Sequence, residues 1–521
     1  MLNRIARQLT QNHNKFIAQA SRCHANRLMP LTSEDMFERA ATVIESTQVE
    51  VCLQFYKFYS NSIGGQKIVR AIRALQKKAS PENPICVKFL INARGKLSQL
   101  LYKPNDDSGI ERLADELNNE NFSIVKATHT ATAFGTLHSK MIISDRRRGL
   151  LLGGDPQFSN DLNAQFETGI YFEGEVCSYL YSDFLDSWQK IYRSENVRTD
   201  ALCLKTIEPY LVMDKDVFVN CLLVCKNQIE FLSSLKYGYA VSPFKISVVA
   251  AILSAKYSIK TMTPNLNDPD IIAALALACA KRVTVSVSIA KHHNDTKEVY
   301  WGGTNLKSLA KLVSLVGRRH RQYIKIHWAT NLKGEVVRIH EKEKLHGKFF
   351  CVDDSLVIMG SSPMDRQGLY YSREADVIFD DKLIASVFLQ KIFNEKFLLG
   401  KDYYLDCCDQ LIKTIQDQIV RLRSSKPVIN FFSQRSKALL LQNELMEARE
   451  MISHPDIPLW EKPEALMRHM LSSLSMQSGL WSGGTTSYKS LIEKSNEYGL
   501  QYHDHVEQLD IILNSAVRYK A

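Results

Sequence analysis

A four-residue word, Leu137-His138-Ser139-Lys140, returns as Leu345-His346-Gly347-Lys348, and each time an aspartate stands seven positions after the histidine, Asp145 and Asp353. A turn of small residues follows, Gly153-Gly154 in the first instance and Gly360-Ser361-Ser362 in the second. A pattern HxKxxxxD met twice in one chain asks for a duplicated unit, and self-similarity on this scale constrains the fold more than composition does.

The surrounding elements repeat too. Met36 to Thr47 carries a helical pattern, and Val49 to Tyr56, rich in β-branched and aromatic residues, reads as a strand. Gly64 to Lys78 places Ile68, Ile72 and Leu75 at helical spacing, and Ile85 to Ile91 is the next apolar strand. A helix at Ile110 to Leu117 and a strand at Ser123 to Lys126 then lead to His138.

The order restarts with a helix at Phe244 to Lys256, a strand at Tyr257 to Thr261, a helix at Asp268 to Lys281 and a strand at Val283 to Ile289. A helix near Leu306 to Val316 and a strand at Tyr323 to Trp328 precede His346. Each copy closes with a strand, Gly169 to Phe172 or Ala375 to Phe379, and an amphipathic helix, Val176 to Tyr192 or Leu383 to Phe397. Strands alternating with crossover helices predict an α/β fold built of two repeated units. The expected partition is a basic N-terminal segment, 1–32, a first unit, 33–200, a second unit, 201–400, and a helical C-terminal region, 401–521. In that last region Ile412, Ile415, Ile419 and Leu422 fall at helical spacing. The connection from about 193 to 240 receives no assignment.

At 521 residues the chain exceeds what one core supports, in agreement with two units. Its 45% hydrophobic and 23% charged residues are those of a soluble globular protein, and the net charge of +10 permits an anionic partner without requiring one. The longest apolar runs, such as Ile271 to Ala280, are about half of what a bilayer span needs, so no transmembrane anchor is expected. Eleven cysteines without CxxC spacing, and no secretory signal, read as reduced thiols, with Cys407 and Cys408 as packing residues. The first 31 residues hold no acid, while Arg4, Arg7, Lys15, Arg22 and Arg27 supply charge and Leu2, Ile5 and Leu9 share a helical face. A helix docked on the protein is the preferred reading, a mitochondrial presequence and a membrane-surface helix the others.

On an extended segment the histidine and the lysine two residues on share a face. Two such segments facing one cleft would bring together two imidazoles and two ammonium groups. Lysines suit an anionic oxygen cage, one neutral imidazole can attack as a nucleophile, and the other can protonate a leaving group. That set suits cleavage of a phosphodiester.

The paired segments and small-residue turns resemble the phospholipase D superfamily in its two-repeat form, over roughly residues 33 to 400. The resemblance implies two phospholipase D-like units packed as a pseudo-two-fold dimer within one chain, a monomer sufficing for one site. It implies a phosphohistidine intermediate resolved by water or another alcohol, with no metal or other cofactor required. Carried onto this chain, His138 is the expected nucleophile and His346 the acid that becomes the base. Lys140 and Lys348 would hold the phosphoryl oxygens, with Asp145 and Asp353 as local anchors. The family also holds each histidine with an acid downstream, and Glu167 and Glu374, 29 and 28 residues after the two histidines, fit by position.

Two departures stand out. The first copy has seven residues between Asp145 and Gly153 where the second has six between Asp353 and Gly360. The asparagine usual two positions beyond the small-residue pair is Pro156 in one copy and Pro363 in the other, which removes a side-chain donor and a backbone N–H. Gly154, Asp155, Ser361 and Ser362, with Gln157 or Asp365, are then the candidates for substrate contacts.

The expected activity is that of a phospholipase D-type phosphodiesterase, hydrolysing a glycerophospholipid at a membrane surface to phosphatidic acid or transferring its phosphatidyl group. The alternatives are a nuclease of the same superfamily, which the moderate basicity and lack of a nucleic-acid motif weigh against, and an inactive membrane-binding scaffold. The clusters Arg146-Arg147-Arg148 and Arg318-Arg319-His320-Arg321 read as solvated turns or as sites for an anionic interface. His340-Glu341-Lys342 and His503-Asp504-His505 read as surface, and Trp481 as part of a loop. A cytoplasmic or peripheral membrane location is expected, with mitochondrial import or signal-less delivery of a bacterial protein into a host cell as alternatives.

Overall fold

The computed structural model describes residues 1–11, 16–93, 109–130, 135–157, 165–195, 217–226, 242–293, 295, 302–331, 333–337, 344–424, 431–467, 469 and 492–500. Outside them lie His340-Glu341-Lys342, Trp481, His503-Asp504-His505, much of the 193–240 connection and the Leu422 side chain.

The strands of the first half are β1 (Phe16–His24), β2 (Met29–Thr32), β3 (Glu50–Phe55), β4 (Ile85–Ala93) and β5 (Phe122–Thr130). They continue with β6 (Lys140–Ser144), β7 (Arg148–Leu152), β8 (Gln165–Phe166) and β9 (Thr168–Glu173). The second half supplies β10 (Phe218–Lys226), β11 (Ser258–Thr263), β12 (Thr284–Ile289), β13 (Ile324–Trp328) and β14 (Lys344–Leu345). It ends with β15 (Phe349–Val352), β16 (Leu356–Gly360), β17 (Glu374–Asp380) and β18 (Lys401–Asp402).

One sheet has the order β2-β9-β7-β6-β3-β4-β5, the other β1-β10-β17-β16-β15-β11-β12-β13-β18. The run β9-β7-β6-β3-β4-β5 in the first matches β17-β16-β15-β11-β12-β13 in the second, with the same parallel and antiparallel neighbours. In each, three parallel strands joined by helices abut an antiparallel meander whose first strand begins at the HxK lysine, Lys140, or directly after it, Lys348. All six residues of β3 are buried, as a parallel strand covered on both faces requires.

Three apolar layers hold the sheets. The outer face of the first sheet packs on the helices Met36–Glu45 and Ile63–Gln76, through Met36, Ala40, Ile44, Ile68, Ile72 and Leu75. The second sheet packs likewise on Pro243–Ser254, Pro269–Ala280 and Asn305–His320. Between the sheets, Cys52, Met141, Ile143 and Ile170 of the first meet Leu223, Phe349, Met359 and Val377 of the second in one core. Leu180 and Phe184 of the helix Val176–Glu195, with Phe388 and Ile392 of the closing helical run, fill the same layer. The units therefore share a hydrophobic seam, and the HxK segments run along it.

Two strands depart from the sequence expectation. β1 lies in the basic N-terminal segment yet joins the second sheet, pairing with β10 from Phe16↔Lys226 to His24↔Phe218, while β2 edges the first sheet. β10 lies in the unassigned connection. Gln19, Ser21 and Arg22 interrupt the apolar alternation of β1, so its strand character comes from the partner rather than from its own pattern. The helix Leu2–Gln11 is docked, with Ile5 and Leu9 buried in the outer core of the second unit.

Past residue 402 the described structure is helical. Tyr403, Cys407, Leu411, Ile415 and Ile419 of the helix Tyr403–Ser424 bury against the second unit beside Trp328, and the helix Phe431–Ser453 follows. Arg321, buried, donates to Glu464 at 2.6 Å, and Arg318 lies 3.1 Å from the same carboxylate, so that cluster holds the helical region onto the core. No described helix is long and apolar enough to cross a membrane.

Candidate active site

The histidines stand just outside the strands expected to carry them. His138 precedes β6 and His346 lies between β14 and β15, because the backbone there bonds across the seam rather than within its own sheet. The amides of His138 and Ser139 donate to the carbonyl of Arg373 at 3.0 and 2.8 Å, and Leu137 bridges Arg373 in parallel. Reciprocally, β14 pairs in parallel with β8, and His346 N donates to Phe166 O at 2.9 Å. Each histidine is thereby held beside the closing strand of the other unit.

That placement crosses the carboxylates. His138 Nδ1 lies 2.7 Å from Glu374 Oε1, and His346 Nδ1 lies 2.9 Å from both carboxylate oxygens of Glu167. The sequence pairs each histidine with the acid downstream of it; the structure pairs it with the acid of the other unit. Glu374 and Glu167 are 1% and 2% exposed, whereas the His138 and His346 side chains keep 22% and 17%, so the imidazoles are reachable and their carboxylates are not. A carboxylate at Nδ1 selects the tautomer protonated there and leaves the Nε2 lone pair free.

The small-residue turns make room for these acids. A Cβ on Gly153 would sit 2.6 Å from Thr168 O and 3.1 Å from Glu167 Oε2. One on Gly360 would sit 2.2 Å from Ala375 O and 2.5 Å from Asp376 Oδ1. Ser361 Oγ donates to Glu374 Oε2, and Ser362 Oγ to Asp376. Ser361 therefore steadies the acid that holds His138.

Lys140 and Lys348 turn back on their own histidines, with Nζ 2.6 Å from His138 O and 2.8 Å from His346 O. Burial lowers the affinity of His138 for a proton, and Lys140 and Lys348 lower it further. Burial does the same to His346, followed by Lys348, Lys140 and His138. Groups of both words thus sit in one electrostatic neighbourhood, with the imidazoles held neutral. Burial pushes Glu167 and Glu374 up to about 7, against the pull of the lysines, and Lys348 down to about 8.

Asp145 and Asp353 stand apart from this cleft. Asp145 accepts from the amides of Gln48, Val49 and Glu50 at 2.8–2.9 Å, and Asp353 from those of Lys256, Tyr257 and Ser258. Both occupy left-handed backbone, φ 49° and 52°, and each pins a helix-to-strand connection. Gly154 is buried in the first turn. Asp155 Oδ1 accepts from Tyr56 N and Lys57 N at 2.9 and 3.2 Å, and its Oδ2 is 3.9 Å from Lys140 Nζ. Beyond Pro363, Asp365 caps the short helix Arg366–Tyr370 through Gly368 N and accepts from Asn265 Nδ2 at 3.2 Å. Gln157 is half-buried. In the first arginine cluster, Arg146 packs over Tyr181 and Arg148 bonds Ser46, so these two face the protein.

Three residues of the site lie outside the sequence reading. Asp376, on β17 two residues after Glu374, is buried, with its acid pushed up to about 7. Lys226 on β10 faces Glu374 across the strand pair and is pushed down to about 7, chiefly by burial. His293, after β12, lies with its ring 5.5 Å from that of His346 at an interplanar angle of 27°. The period of two from Glu374 pointed to Asp376, and the place of His293 past the end of a parallel strand, where α/β folds hold ligands, pointed to it. Lys226 had no local signal.

A family model described as "Cardiolipin synthase, PLD-like domain" matches residues 248–396. That match covers most of the second unit, and with the paired words on their two sheets it makes the chain similar to the phospholipase D superfamily. Among curated proteins it is similar to cardiolipin synthase 2 of Bacillus anthracis, 22% identical over 67% of this chain and 60% of the relative. It is also similar to cardiolipin synthase 2 of Staphylococcus epidermidis, 21% identical over 70% of this chain and 67% of the relative. Its length thus spans about three fifths to two thirds of these relatives. Among solved structures, a phosphatidylserine synthase of Haemophilus influenzae Rd KW20 shares the fold, with a TM-score of 0.54 and 12% identity over 76% of this chain and 91% of that one.

Proposed function

We propose that this protein is a phospholipase D-type enzyme that takes the phosphatidyl group from a glycerophospholipid and passes it to an alcohol or to water. The observation that supports this most is the crossed arrangement, in which two imidazoles, each braced at Nδ1 by a carboxylate of the opposite unit, share a pair of lysines. Nε2 of His138 attacks phosphorus, a P–N bond forms and the P–O bond to the head group breaks. His346 enters this step as the imidazolium opposite Glu167, the state that the second step regenerates, and the leaving oxygen takes the proton on its Nε2. In the second step His346 removes the proton of the incoming hydroxyl, whose oxygen attacks phosphorus and releases His138.

Lys140 and Lys348 stabilise the non-bridging oxygens as charge builds. Glu374 balances the positive charge that the His138 ring gains while phosphorylated, and Glu167 does so for His346 when it holds a proton. Asp145 and Asp353 act through the backbone they pin. The polar contacts that an asparagine would give at Pro156 and Pro363 fall to Asp155, Ser361, Ser362 and Asp365. The similarity to synthases supports transfer to an alcohol over hydrolysis as the main outcome.

Purified protein with mixed liposomes is expected to yield phosphatidic acid, and phosphatidylethanol when ethanol is added. His138→Ala and His346→Ala are expected to abolish both products while the circular dichroism spectrum is kept. Nucleotide release without any lipid product would replace the lipid reading by a nuclease. Liposome binding without turnover of either substrate would replace it by a scaffold.

A further inference from the structure

Lys226 is a buried cation that the mechanism above leaves idle. It ends β10, where it pairs with Glu374 of β17, so the two side chains leave the sheet on one face with their Cβ atoms about 5 Å apart. Leu222 and Val224 precede it on that face and belong to the apolar core under the helix Pro243–Ser254. The ammonium therefore closes an otherwise apolar row, 3% exposed. Among the described residues its nitrogen makes one hydrogen bond, to Gly368 O at 3.2 Å, although an ammonium offers three donors. A buried charge so lightly held is costly unless neighbouring charges offset it.

Those charges belong to the site. Glu374 is buried and gives one carboxylate oxygen to His138 and the other to Ser361. Asp376 follows it on the same face of β17, Asp365 stands beyond Pro363, and the HxK segments bring Lys140, Lys348 and His138. Burial raises the acid of Glu374, and Lys140, the Ser361 hydroxyl, Lys348 and Lys226 oppose it. Burial weakens the hold of Lys226 on its proton, and Glu374 and then Asp365 restore part of it. Amine and carboxyl thus support each other's charged form.

The first unit is built differently at the matching place. The strand beside Glu167 there is β2, and it leads into Ser33, a neutral residue whose hydroxyl accepts from Glu167 N at 2.7 Å and donates to Gln165 O at 2.7 Å. Lys348, Lys140 and His138 offset the burial of Glu167. The extra cation therefore falls on the carboxylate of the histidine that carries phosphorus in the proposed reaction.

We infer that Lys226 is a positioning residue for this reaction, which acts through Glu374 by keeping that carboxylate ionised opposite the His138 ring. This rests on the transfer reaction proposed above. An ionised Glu374 accepts from Nδ1–H and leaves the Nε2 lone pair for phosphorus, whereas a protonated one offers Nδ1 a donor and favours the wrong tautomer. Lys226 itself touches neither the substrate nor the reacting atoms.

The test is the pH dependence of kcat for phosphatidylethanol formation from liposomes of phosphatidylcholine and phosphatidylglycerol with ethanol, in wild type, Lys226→Met and Lys226→Gln. Methionine removes the charge and the bond to Gly368 O; glutamine removes the charge and keeps a donor. Loss of the cation strengthens the hold of Glu374 on its proton, so the acid limb moves to higher pH. A move of about one pH unit lowers the ratio of kcat at pH 6 to kcat at pH 8 by about fivefold, and both variants should show it. The ratio compares one preparation with itself, and circular dichroism at the two pH values checks the fold. In a Glu374→Gln background, Lys226→Met should leave the ratio as it is. An unchanged ratio in both variants, or a change in Lys226→Met alone, overturns the inference. So does an equal change in the Glu374→Gln background, since Lys226 would then act by another route. A wild type that turns over no lipid refutes the reaction itself, whereas an active wild type with an unmoved limb in the variants refutes only the role of Lys226.

Discussion

Glu374→Gln tests the crossed pairing. The amide keeps the shape, because its oxygen can face His138 Nδ1 and its nitrogen the Ser361 hydroxyl, where Glu374 now holds both contacts. What is lost is the negative charge opposite a ring that, in the proposed mechanism, becomes positive on phosphorylation. Two unit charges about 4 Å apart at an effective dielectric of about 20 attract by about 4 kcal/mol. The contact here is shorter, at 2.7 Å, and the amide dipole restores a part. A net loss of about 4–5 kcal/mol corresponds to roughly three to four powers of ten in kcat, comparable with neutralising the aspartate of a serine-protease triad. Phosphatidyl transfer at pH 8 measures it. With Glu167 and Glu374 both at about 7, wild-type activity rises between pH 6 and 8 as two carboxylates ionise, and the variant keeps only the rise due to Glu167.

Stability moves the other way. Burial raises the acid of Glu374 from 4.5 to about 7, so the folded state holds a proton that the unfolded chain releases between those values. Wild type therefore loses stability as pH rises across that window, and the cost is complete above pH 7. At about 1.4 kcal/mol per pH unit this amounts to about 3 kcal/mol, which glutamine removes. The variant should melt higher than wild type at pH 8 and equally near pH 4.5. Activity within fivefold of wild type, or a variant less stable than wild type at pH 8, would refute the reasoning.

Four further expectations concern the frame. Asp353→Ala strips three backbone amides of their acceptor and leaves a left-handed alanine, so thermal melts should show a loss of about 2–4 kcal/mol. Gly360→Ala sets a methyl 2.2 Å from Ala375 O, and soluble expression should fall sharply while Ser361→Ala expresses normally. Arg373→Met leaves the buried Asp183 without its guanidinium, which should cost about 3–5 kcal/mol by denaturant titration. Lys348 loses its charge as pH rises through about 8, so transfer should decline there, and in any active Lys348→Arg enzyme that alkaline decline should move to higher pH.

Much of the frame was legible because it is local. The apolar, β-branched runs of β3, β4 and β12 and the helical spacing of their crossover helices need no knowledge of the partner sheet, and the words around His138 and His346 name their own chemistry. The crossing of the carboxylates was not legible. Glu167 and Glu374 announce themselves as acids at strand starts, but which imidazole each meets depends on the seam, where Arg373 and Phe166 lend their carbonyls across the units. β1 and β10 were missed for a related reason, since each is completed by the other across some 200 residues of chain. Lys226 enters the site only by facing Glu374 in that non-local pairing.

The crossed carboxylates also set a clock on synthesis. Glu374 lies 236 residues beyond the His138 it serves. At roughly 5–20 residues per second the ribosome needs about 10–50 s to cover that distance. During that interval the first unit can close its sheet and present His138 and Lys140, but it has no carboxylate to aim the ring. The growing chain is chemically mute until most of it has been made, and a product cut short before residue 374 stays so. The aimed pair of imidazoles is thereby withheld until the last strand of the second sheet's meander has arrived.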